Sequence, residues 1–303
     1  MLIPNTKIFL GSTILAGGGF KLLPNTAGDF RAPPSGLAAP AWMASVGDLN
    51  GDGIADIAIG ASGDDDKLPD AGRIFVTMGG HVAGGSTNIA TNSWIIDGVN
   101  AGDLAGFSIA SSADLNRDGL GELLIGAPGQ DVGAQADAGV AYVAFGQSTA
   151  GGLDLQDLFT AGGGGYAVKG QSAGDAAGYT VLSVGDLNGD GRADMLVGAP
   201  GQDAGGANAG AAYVVWGKAS ASSVLLNSVA NGTGGFKING AAAGDAIGSE
   251  LAVLADQNGD GRAEILVGAR TAAGGAGAVY VVDGKATGAA LDLNAVAGGH
   301  WRL

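Results

Sequence analysis

The sequence has no cysteine, so neither a disulfide framework nor thiol chemistry is open to it. Basic residues are scarce: 14 Lys and Arg stand against 29 Asp and Glu, for a formal charge of −15. A surface of that sign repels nucleic acid and anionic lipid, and neither is expected as a partner. There are only two histidines, His81 and His300, and neither lies in a G-x-S-x-G or H-E-x-x-H context. Nucleophilic catalysis therefore finds no obvious base, and both are read as loop or edge residues. A Walker loop, an RGD tripeptide and a D-x-S-x-S metal motif are all missing. No apolar run approaches the roughly 20 residues that cross a bilayer as a helix, so membrane insertion is not expected. The stretch Ile8 to Ala16 after Lys7 bears a faint likeness to a signal peptide. The plainer reading is a strand over Ile8 to Leu10 and a loop at Gly17-Gly18-Gly19.

What the chain does have is glycine, 60 residues in 303, about three times the usual share. The every-third-residue period of collagen is absent. The glycines instead punctuate short apolar runs, as they do where many short strands meet in tight turns. With 46% apolar and 14% charged residues the composition is globular, and the length suffices for a sizeable core.

Four segments share one pattern: DLNGDGIAD from Asp48, DLNRDGLGE from Asp114, DLNGDGRAD from Asp186 and DQNGDGRAE from Asp256, spaced by roughly 70 residues. Each runs into a short apolar strand ending in Gly-Ala, at Ala61, Ala127, Ala199 and Ala269. A second strand follows an Ala-Gly pair, as in Gly139-Val140-Ala141-Tyr142-Val143. A third recurs as Trp94 to Gly98, Tyr166 to Gly170 and Phe236 to Gly240, with His300 to Leu303 at the same place in the last repeat. A fourth leads into each acidic segment, as at Tyr179 to Val184. Runs this short, rich in Val, Ile and aromatics, predict an all-β fold. Four-stranded antiparallel units in series predict the blades of a β-propeller, in which radial stacking covers both faces of each small sheet. Short helical turns are expected at Leu153 to Phe159 and Leu291 to Val296.

Gly106-Phe107 followed by Gly126-Ala127-Pro128, and Gly178-Tyr179 followed by Gly198-Ala199-Pro200, resemble the FG-GAP repeats of integrin α-subunit propellers and their bacterial relatives. The pattern weakens to Gly248-Ser249 with Gly268-Ala269-Arg270, and in the first repeat to Pro40-Ala41 with Gly60-Ala61-Ser62. The resemblance covers roughly residues 20 to 303, and a single domain over 1–303 is expected, with repeats at about 20–98, 99–170, 171–240 and 241–303. The family usually closes a ring of seven blades, whereas four repeats are present. Gly19-Phe20-Lys21-Leu22 parallels Gly235-Phe236-Lys237-Ile238, so the chain begins with what reads as the closing strand of a preceding blade. A strand-exchanged ring of four, a fragment of a longer propeller and a half-ring completed by a second chain all fit that arrangement.

The acidic segments have the spacing of calcium loops that lie between the first and second strands of each blade. Asp48, Asn50, Asp52 and Asp56 offer side-chain oxygens at positions 1, 3, 5 and 9, and Ile54 offers its carbonyl at position 7. The other sets are Asp114, Asn116, Asp118, Leu120 and Glu122; Asp186, Asn188, Asp190, Arg192 and Asp194; and Asp256, Asn258, Asp260, Arg262 and Glu264. An EF-hand would need a bidentate Glu at position 12, where Ile59, Ile125, Val197 and Val267 stand. Asp, Asn and Gly are also good turn formers. Turn chemistry alone, however, does not call for three mutually repelling carboxylates at positions 1, 5 and 9 in four phased copies. About four Ca²⁺ ions are expected, one per repeat, which would move the formal charge from −15 to −7. In Arg117 the second loop also carries a positive charge close to the expected ion.

Asp64, Asp65, Asp66, Asp131 and Asp203 follow the Gly-Ala strands and are read as solvated loop acids, although a composite acid pair at that face stays open. Trp42, Trp94, Trp216 and Trp301 fall in or beside strands and are read as packing residues. The expected function is that of a calcium-stabilised, extracellular or cell-surface binding module, not an enzyme, that presents loops to a protein or glycan. Adhesion comes from the resemblance alone. Two alternatives are a subunit of a surface layer or filament, self-associating through its terminal strands, and a propeller enzyme acting on polysaccharide.

Overall fold

The computed structural model describes residues 21–23, 43–79, 86–88, 93–147, 153–157 and 164–296. The segment at residues 8–16, Pro40-Ala41, Trp42, His81 and His300 to Leu303 lie outside the described residues. A short strand, β1 (Lys21–Leu23), precedes the first repeat, which contains β2 (Met43–Gly47), β3 (Asp56–Ala61), β4 (Arg73–Thr77), β5 (Ser86–Asn88) and β6 (Ser93–Asp97). The second repeat supplies β7 (Ser108–Ser112), β8 (Glu122–Ala127), β9 (Val140–Phe145), β10 (Leu153–Asp154) and β11 (Gly165–Lys169). The third supplies β12 (Thr180–Gly185), β13 (Asp194–Ala199), β14 (Ala211–Val215), β15 (Val224–Leu225), helix α1 (Leu226–Ala230) and β16 (Gly235–Asn239). The fourth supplies β17 (Leu251–Leu254), β18 (Glu264–Ala269), α2 (Ala272–Gly275), β19 (Ala278–Val282), β20 (Leu291–Asp292) and α3 (Leu293–Val296). None of the described helices is long and apolar enough to cross a membrane.

The fold is all-β. In each of the first three repeats four strands pair antiparallel in a meander, and a fifth, two-residue strand from the next repeat joins the outer edge in parallel. The sheet orders are β10-β6-β4-β3-β2, β15-β11-β9-β8-β7 and β20-β16-β14-β13-β12. Among the described residues the fourth sheet has three strands, β17-β18-β19, and no sheet closes on itself. In the same register β1 lies parallel to β5, so it occupies the place of an outer strand that precedes the first sheet.

These lacing strands correct one expectation. Leu153–Asp154 and Leu291–Asp292 are extended, and helix begins only at Leu293 in the last repeat. Pairing with the outer strand of the previous sheet outweighs the local helical preference of Leu-rich segments.

The core lies between sheets. One apolar cluster joins Ile74, Val76 and Trp94 of the first repeat to Ile109, Ile125 and Tyr142 of the second. A second joins Val143 and Tyr166 to Met195 and Tyr213, and a third joins Leu196 and Phe236 to Ile265 and Val267. Strands β8, β9, β13 and β14 are consequently buried along their whole length, which explains their unbroken apolar runs. Trp94 is buried, and Trp216 packs on Phe236 with ring centroids 5.8 Å apart, so both act as packing residues.

The phased glycines form the joint between sheets. The Gly106 and Phe107 N–H groups both donate to the Gly126 carbonyl within the repeat. Across the joint, a Cβ at Gly126 would lie 1.9 Å from the Gly178 carbonyl oxygen, and one at Gly198 would lie 1.9 Å from that of Gly248. Two backbones meet where any side chain would separate them.

Candidate metal centre

All four acidic loops connect the innermost strand of a sheet to the next, and all fold alike. The position 1 carboxylate gathers the loop around itself: Asp48 accepts the N–H groups of Gly51 at 2.7 Å, Asp52 at 3.1 Å and Gly53 at 2.8 Å. Asp114, Asp186 and Asp256 accept the equivalent donors. At Asp256 these bonds, led by that from Gly261, hold the carboxyl below its usual pKa. Asn50, Asn116, Asn188 and Asn258 accept the N–H of position 5, and the position 5 carboxylates accept that of position 7. This winding needs left-handed backbone at positions 4 and 6. Glycine supplies it everywhere except at Arg117, which stands at φ 65°.

Position 9 differs from the rest because it opens the second strand and is buried. Asp56 and Asp194 use both carboxylate oxygens: one accepts from Leu49 or Leu187 at 2.9 Å, and the other accepts from Gly79 at 2.8 Å or Gly217 at 2.9 Å. Glu122 and Glu264 accept from Leu115 at 2.6 Å and Gln257 at 2.8 Å through Oε2, whereas their Oε1 atoms are buried without a partner. In the second loop one carboxylate oxygen from each of Asp114, Asp118 and Glu122 lies within 4.8 Å of the others. Burial pushes Glu122 up to about 8 and Asp194 up to about 6, and it raises Asp56, with the neighbouring loop carboxylates adding to the effect.

In every loop the candidate donors are oxygens and mostly anionic; in the second they lie close together, and in the two glutamate loops one is orphaned. That chemistry fits a hard divalent cation; the expected carbonyl donors Ile54, Leu120, Arg192 and Arg262 stand at position 7 of the four loops. The sequence pattern picked out the acidic positions of the loops but not their supports. The Gly79 and Gly217 N–H groups that hold position 9 belong to a glycine recurring in phase as Gly79, Gly146, Gly217 and Gly284, a signal that was available in the sequence.

Neighbouring loops touch. The Gly121 N–H donates to the Asp48 carbonyl at 3.4 Å, and that of Ala193 donates to Asp114 at 3.3 Å. Arg192 Nη1 reaches the Asn116 carbonyl at 2.6 Å, and Arg262 Nε reaches that of Leu187 at 2.9 Å. The Arg117 guanidinium turns to the Asp190 and Gly191 carbonyls of the third loop. The acids after the Gly-Ala strands serve their own loops: Asp131 accepts from Asp137, Asp203 from Asn208 and Asp65 from Asp70, while Asp64 and Asp66 face Arg73.

The FG-GAP repeat family matches the chain at residues 42–77, 105–143, 177–215 and 248–282, each match spanning one acidic loop and its flanking strands. The chain belongs to the FG-GAP repeat family. Its FG-GAP region is 31% identical over 212 residues to integrin alpha-5 of Xenopus laevis, covering 66% of this chain and 18% of that protein. It is 34% identical over 161 residues to integrin alpha-PS2 of Drosophila melanogaster, covering 51% and 10%. It is also 30% identical over 176 residues to phosphatidylinositol-glycan-specific phospholipase D of Bos taurus, covering 56% and 19%. The FG-GAP chain thus spans less than a fifth of the length of each of these relatives.

Proposed function

We propose that this chain is a calcium-stabilised, propeller-type binding domain that works outside the cell, holds one Ca²⁺ in each of four loops and presents its remaining loops to a protein or glycan. The observation that carries this reading is the common fold of the four loops, each wound on its position 1 carboxylate, with the Asp114, Asp118 and Glu122 oxygens close together in the second and, in two loops, a buried carboxylate oxygen lacking any partner. The phospholipase D relative is an enzyme by name, whereas the similarity to integrin α subunits supports a binding role. So does the use of the loop acids as local caps, which leaves them committed to their own turns. An ion held at a hundred times its dissociation constant contributes about 2.7 kcal/mol per site, so the metal is structural in this reading.

Calorimetric unfolding in 1 mM calcium and again in excess chelator tests the proposal. A melting temperature lower by roughly 10 °C or more in chelator is expected. Identical transitions would reduce the four loops to turns and withdraw the calcium part of the reading.

A further inference from the structure

We propose that the four loops form two classes of cation site, with the two glutamate loops, the second above all, filling before the two aspartate loops. This rests on reading the loops as calcium sites and concerns what distinguishes them. In the aspartate loops both oxygens of Asp56 and Asp194 already accept backbone N–H groups. Each of those oxygens keeps one lone pair, but its charge is already partly satisfied, so a cation gains less there than at an unengaged oxygen. In the glutamate loops one oxygen is held by the N–H of position 2 and the other is buried with nothing to accept from. Glu122 is 0% exposed and Glu264 1% exposed, so water does not compensate these oxygens. A buried unpartnered oxygen is costly to the empty loop, and a cation removes that cost.

The second loop is the more prepared of the pair. Oxygens 2.3–2.6 Å from one Ca²⁺ ion stand at most about 5 Å apart. The Asp114, Asp118 and Glu122 oxygens already meet that limit at 4.8 Å, and among the described residues no other such group of three occurs. The third loop is the least favoured, because two guanidinium groups, those of Arg117 and Arg262, rest on its carbonyls, against the one of Arg192 on the second loop. Positive charge there opposes a second cation.

The test is isothermal titration of the decalcified full chain with Ca²⁺ alone, for the natural sequence, Glu122→Asp and Glu264→Asp. Two tight and two weaker sites are expected, separated by tenfold or more. Each variant should move one site from the tight class to the weak one. Four indistinguishable sites, or a tight pair that survives in both variants, would overturn this inference and leave the calcium reading intact. Absence of calcium binding by the natural chain would remove both. If Glu122→Asp fails to fold, Glu264→Asp and the natural isotherm still decide.

Discussion

At the scale of single residues, burial governs the acids more than their neighbours do. Asp103, in the turn before β7, is 2% exposed and accepts the Asn100 N–H at 2.8 Å. Burial lifts its carboxyl from 3.8 to about 6, and the nearby Asp131 charge adds to the shift. A raised folded-state value means that its contribution to stability is complete below about pH 4 and is lost as pH climbs through 6. Asp103→Asn removes the titration. The stability of the variant relative to the natural chain should therefore rise between pH 4 and pH 7, by at most about 3 kcal/mol. Urea unfolding across that range, with calcium present, checks this, and parallel curves would refute it. The sequence showed the acidic pattern of the loops because each loop is local. It did not show that position 9 is buried, since that depends on a strand and a glycine more than 20 residues away.

Among the elements, the joint between sheets is where sequence and structure meet most closely. The Gly-Phe and Gly-Ala pairs recur because the backbones of successive sheets touch there, and the fourth repeat provides an internal control. Gly268 faces only the Glu250 side chain and backbone, with a Cβ no nearer than 3.1 Å. Gly126→Ala should cost about 3 kcal/mol or more, because its methyl meets a carbonyl at 1.9 Å. Gly268→Ala should cost under about 1 kcal/mol. Equal losses in chemical denaturation would show that the contact is not the reason for the glycine. The strands that flank each loop were legible from apolar runs bounded by Gly and Asp. The lacing strands were not, because two residues pairing with a strand some 55 residues earlier leave no periodicity to read.

At the scale of the whole molecule, three apolar clusters among the described residues join the sheets of the four repeats in series, so each repeat depends on its immediate neighbours. A lesion at one joint should divide cooperativity there. Hydrogen exchange on Gly126→Ala in mild denaturant is expected to show repeats one and two opening independently of three and four. Uniform loss of protection across all four would mean that coupling is not confined to nearest neighbours. The repeat architecture was visible from phase alone, since four copies of one pattern give the number and order of units. The number of sheets in a complete ring was not, because nothing in a repeat encodes how many copies follow it.

The parallel lacing strand has a consequence for how such chains are shortened or spliced. The unit that recurs in the sequence and the unit that stands as a sheet are out of step by one strand. Cutting between two copies of the pattern takes β10, β15 or β20 away from the sheet it completes and leaves the outer strand bare. A graft or truncation that keeps each sheet whole must place its boundary after the short strand of the following copy, and deletions made by that rule should be the ones that stay in solution.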